Sequence, residues 1–62
     1  MKPKMQLNPE KDVNALSMIT RAACILNAHG LKEQAKAIHQ EAKANGYDDF
    51  LVFGLLKKYM DI

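Results

Sequence analysis

The 62-residue chain has a single cysteine, Cys24, and no tryptophan. An intrachain disulfide is therefore excluded. So is a zinc site of four cysteines, or of two cysteines and two histidines, because Cys24, His29 and His39 are the whole stock of thiols and imidazoles. Arginine is equally scarce. Arg21 stands alone among nine Lys+Arg residues, set against seven Asp+Glu for a formal net charge of +2. Modules that read nucleic acid usually carry a larger excess and use the arginine fork for base and phosphate contacts. No apolar run approaches the roughly 18 residues of a membrane span. The leading MKPKMQL is not followed by the apolar stretch of a secretory signal. A lone thiol without an export signal points to a reducing cytoplasm. P-loop, GxGxxG, HExxH and GxSxG motifs are all missing. The expectation is a protein that is not an enzyme and needs no cofactor, metal or membrane.

What the chain does have is apolar surface, with 48% of its residues hydrophobic. A domain of about 60 residues buries only roughly 60% of the surface its unfolded chain exposes, so a lone core is marginal. Disulfides, a structural metal or association are the usual remedies, and the disulfide and those zinc sites are excluded here. Association is expected before any pattern is read.

Helical punctuation is plentiful. Residues 1–7 carry Lys2, Pro3 and Lys4 and read as an extended or flexible arm, leaving 8–62 as one domain. Asn8-Pro9-Glu10 has the form of a helix start, with Asn8 as cap, Pro9 at N1, and Glu10 and Asp12 at the positive end of the dipole. A first helix is predicted from about Pro9 to His29, stopped by Gly30 and followed by the apolar Leu31. A second runs from about Leu31 to Ala44 and is closed by Asn45-Gly46. Asp48 caps a third reaching about Met60, with Tyr47 and Val52 placed for a hydrophobic staple. No segment alternates with period two. The predicted fold is all-α: three helices, an antiparallel αα-hairpin plus a short apolar C-terminal helix.

Helical wheels separate the three. Leu31, Ala35, Ile38 and Ala42 share one narrow arc of the second helix, an ordinary one-sided pattern. In the first, Leu16, Met18, Ile19, Ile25 and Leu26 with several alanines spread over about half the circumference. In the third, the apolar residues from Phe50 to Ile62 leave only Gly54, Lys57, Lys58 and Asp61 as a polar stripe. A bundle of three short helices has one inside. The excess is expected to meet another chain, with Met18, Ile25, Phe50, Phe53, Leu55, Leu56 and Tyr59 forming the interface of a homo-oligomer, most simply a C2 dimer.

The chemically suggestive residues have plainer readings. Cys24 and His29, five apart on one helix, project to nearly opposite sides and cannot act as nucleophile and base; Cys24 reads as a small core or interface residue. Asp48 and Asp49 at a helix start are explained by capping. Met18 and Met60 read as core filler. Lys32, Lys36, His39 and Lys43 are more specific. They repeat at four, three and four residues in one stripe, diluted by Glu33 and Glu41. Like charges so spaced repel, which suits an anionic partner, although a solvated lysine face is the simpler explanation.

The stretch Thr20 to Ile62 resembles small helical proteins carried by phages, prophages and conjugative elements of bacteria. The resemblance lies in the Gly30-Leu31-Lys32 turn, the alanine-spaced helix after it, the Gly46-Tyr47-Asp48 turn and the short apolar helix ending near Tyr59. Those of the group that are understood act as small inhibitors, signal-sequestering proteins or regulators of host or defence machinery. Asn14 to Asp49 also resembles one helix–turn–helix unit of the tetratricopeptide and pentatricopeptide type. It occurs in a single copy where such units need about three, so it supports a helical hairpin and not RNA reading. These readings together imply a non-catalytic protein that binds or sequesters a host or defence-related protein as a homo-oligomer. The alternative is a small regulator taking nucleic acid or an anionic nucleotide on Lys32, Lys36, His39 and Lys43.

Overall fold

Two side-chain caps and two glycines cut the chain into its elements. The computed structural model describes residues 2–8, 10, 12 and 14–62. Among these the chain is helical, with no strand: α1 (Ala15–Ala28), α2 (Lys32–Ala44) and α3 (Asp49–Tyr59). No helix is long and apolar enough to cross a membrane.

The first helix begins later than the sequence predicts. Asn14, in extended conformation, accepts from the Ser17 N–H at 2.8 Å and is the true N-cap. Asn8 does organise a turn. Its Oδ1 accepts from the Glu10 N–H at 2.9 Å, and its carbonyl accepts from the Asp12 N–H at 2.6 Å. The Asp12 carboxylate then folds back onto the Asn8 N–H at 2.6 Å and is held by Arg21, so the turn is not the first turn of α1. Pro9, expected at N1, lies outside the described residues, as do Lys11 and Val13.

Both interhelical turns have the double hydrogen bond of a left-handed helix stop. After α1, Gly30 (φ +75°) donates to the Asn27 carbonyl at 3.0 Å and Leu31 to that of Leu26 at 2.8 Å. After α2, Gly46 (φ +65°) donates to Lys43 at 3.0 Å and Tyr47 to Ala42 at 2.8 Å. Tyr47 is itself at φ +54° and packs partly against the core. Asp48 then caps α3, its Oδ1 accepting from the Phe50 N–H at 2.8 Å.

The core joins one stripe from each helix. Ile19, Leu26, Ile38, Val52, Leu56 and Met60 are its largest wholly enclosed side chains. Ala15, Ala22 and Ala23 of α1 and Ala35 and Ala42 of α2 complete it, so the interior is thin and its helices pack closely. The radius of gyration, 10.3 Å, is about what a folded chain of this length should have.

The N-terminal arm is extended and docked. Met5 is buried with the core. Lys4 and Asp61 form an isolated parallel bridge, in which Asp61 donates to the Pro3 carbonyl at 2.8 Å and Met5 to that of Asp61 at 3.2 Å. The Lys2 ammonium donates to the Lys57 carbonyl at 2.6 Å, near the end of α3. The chain's two ends thus hold one another.

Candidate functional site

Two surfaces stand out, and they differ in chemistry. The first is the outer face of α3. Val52 and Leu56 point inward and are sealed, which turns Phe50, Leu51 and Phe53 outward on an eleven-residue helix. Phe50 is 93% exposed, Leu51 48% and Phe53 46%. Phe53 also borders a hollow of about 130 Å³ shared with Leu7 of the arm and Met18 of α1. The arm therefore extends this apolar patch.

The residues expected at an interface do not share one fate. Phe50 and Phe53 are open. Leu56 is fully enclosed by its own chain and has no surface to offer, a correction the wheel could not make because it does not show which arc of α3 turns inward. Met18, Ile25, Leu55 and Tyr59 are half-buried against the core. Leu51 and Leu16, absent from that set, are more exposed than any of those four. Both were on the apolar arcs of their wheels, but position on an arc alone does not rank exposure.

The second surface is a groove of about 630 Å³ between α1 and α2. Thr20, Cys24 and Asn27 line it from α1, and Lys32, Lys36 and His39 from α2. Each set recurs at helical spacing along one face. Ala23 and Ala35 form its buried floor. Three members of the predicted cationic stripe thus gather on one concavity, and Lys43 does not join them. Cys24, expected to be a core or interface residue, is exposed here. His29 lies in a different hollow, with Lys2, Pro3, Lys4, Leu31 and Asp61, so the two residues face separate spaces.

Glu41 does not dilute the stripe in the way its sequence position implies. Its carboxylate accepts from Lys58 Nζ at 2.9 Å and from the Tyr59 hydroxyl at 2.9 Å, tying α2 to α3. The hydrogen bond from Lys58, then that from Tyr59, holds Glu41 below the usual carboxylate range. The Glu41 hydrogen bond holds Lys58 above its ordinary value. Burial, and then the bond to Glu41, raises Tyr59.

The lone arginine is structural. Arg21 Nη2 meets Asp12 Oδ2 at 3.0 Å and also donates to the Gln6 carbonyl. The Asp12 side chain is only 3% exposed against 30% for Arg21. Among the described residues no group of three His, Cys, Asp or Glu side chains is placed to hold a metal ion. No family model, curated protein or solved structure matches this chain.

Proposed function

We propose that the protein is a non-catalytic binding protein of mobile-element origin, working as a homo-oligomer that binds or sequesters a host or defence-related protein. The observation that carries this reading is Phe50, 93% exposed beside Leu51 and Phe53 on a helix whose opposite side is already committed to the core. Leaving such side chains in water forgoes about 1.5–3 kcal/mol for each that a partner would cover. A core this small supplies roughly 3–5 kcal/mol, so covering two of them matches its whole stability. Exposed apolar patches of this kind mark binding surfaces. The architecture we infer is an antiparallel hairpin of α1 and α2 with α3 packed across it, two copies meeting through α3 about a two-fold axis.

Light scattering on reduced, size-fractionated protein tests this. Wild type is expected to elute as an assembly, and Phe50→Asp/Phe53→Asp as a folded monomer with unchanged helical circular dichroism. A wild type that stays monomeric at all concentrations would refute the self-association. A double variant that remains assembled would move the interface off α3.

A further inference from the structure

The groove between α1 and α2 is independent of the α3 face and has the opposite chemistry. Lys32, Lys36 and His39 stand along it with no carboxylate in its lining. The hollow beside the N-terminal arm also has cationic groups, but Asp61 sits among them. Glu41, two residues from His39, is held by Lys58 and Tyr59. Glu33, beside Lys32 in sequence, lines a separate hollow with it, so Lys32 and Lys36 carry the charge of the groove lining itself. At about 1.5 Å rise per residue Lys32, Lys36 and His39 are spread over roughly 10 Å of α2, so a single phosphate meets one or two of them and a chain of phosphates more. Lysine ammoniums are compact point charges, which suit the several oxygens of a phosphate group.

The other wall is neutral. Thr20 and Asn27 offer hydrogen-bonding groups of the kind that meet hydroxyls, and the buried Ala23 and Ala35 let a narrow molecule lie deep. No aromatic side chain lines the groove to stack a base. A volume of about 630 Å³ falls within the usual range for small-molecule sites. We propose that this groove binds a small phosphate ester bearing a sugar, its phosphates on Lys32, Lys36 and His39 and its hydroxyls toward Thr20 and Asn27. Lys43, outside the groove, has no part in it.

Cys24 on the α1 wall is exposed and reports occupancy directly. Reduced protein is titrated with ATP, ribose 5-phosphate, adenosine or inorganic phosphate while alkylation of Cys24 by neutral iodoacetamide is timed. ATP or ribose 5-phosphate should slow alkylation saturably, at concentrations below about 1 mM. Protection by both identifies the sugar phosphate as the element read, and protection by ATP alone identifies a nucleotide. Adenosine should have no effect. Lys32→Glu and Lys36→Glu should each weaken protection about tenfold, and Lys57→Glu, outside the groove, should leave it unchanged. If a glutamate variant loses its helical circular dichroism, Lys36→Gln takes its place. The proposal is overturned if none of these compounds protects Cys24 or if the groove variants protect as well as wild type. Inorganic phosphate acting as strongly as the esters would equally overturn it, as would a single-stranded oligonucleotide that outcompetes them.

Discussion

Arg21→Met isolates what holds the N-terminal segment to the bundle. Arg21 is shared between the Asp12 carboxylate and the Gln6 carbonyl, so its removal frees both strands of the turn preceding α1. Breaking a fully buried ion pair costs about 3–5 kcal/mol because an uncompensated charge is left behind. Here the carboxylate is 3% exposed but the guanidinium 30%, and that access to water lowers the figure to about 2 kcal/mol. The lost bond to Gln6 adds about 1 kcal/mol. For a domain of this size the sum of about 3 kcal/mol lowers Tm by about 12–24 °C. Asp12→Asn should cost less, about 1 kcal/mol, because the cation it strands can still reach water. The double variant should fall short of the sum by at least about 1 kcal/mol. Thermal and urea denaturation followed by circular dichroism supply all four corners of the cycle. An Arg21→Met variant within about 0.5 kcal/mol of wild type, or strict additivity, would refute the reasoning.

Three further outcomes follow from named contacts. Glu41, held below its ordinary 4.5, contributes stability that is present above that value and is lost as pH falls through its lower folded-state value. Lys58 and Tyr59, raised above 10.5 and 10.0, contribute stability that is present below those values and fades as pH rises through their folded-state values. Urea midpoints should therefore sag at both extremes, and Glu41→Gln should flatten both limbs; an unchanged profile would remove the α2–α3 tie. Gly30→Ala should cost about 1–2 kcal/mol in thermal melts from φ alone, since an added Cβ meets nothing within 4 Å. Gly54→Ala, equally open but within α3, should gain about 0.5–1 kcal/mol. Destabilisation at Gly54 would show that its face is closely covered.

Local signals carried most of the helical architecture. Gly30 with Leu31, Asn45-Gly46 and Asp48 mark their boundaries because caps act through neighbours a few residues away. Asn8 deceived for the same reason. It caps a local turn, whose Asp12 is held by Arg21 nine residues on, while the cap of α1 is Asn14. Docking of the arm through Met5, Lys4 and Asp61 is non-local and had no periodicity to announce it. The surfaces divided similarly. The stripe of Lys32, Lys36 and His39 was visible as spacing, but Thr20, Cys24 and Asn27 joined it only once α1 was laid beside α2. Wheel width marked α3 as apolar over most of its circumference; only packing showed that Leu56 is sealed while Phe50 and Leu51 are open.

Hydroxyl-radical footprinting across a dilution series, under reductant, tests the proposed covering of the α3 face most directly. Oxidation of Phe50 and Phe53 should be strong in dilute protein and fall steeply as concentration rises, while that of His39, in the groove between α1 and α2, stays level. Phe50 oxidised at one constant rate from the most dilute sample to the most concentrated would contradict the account.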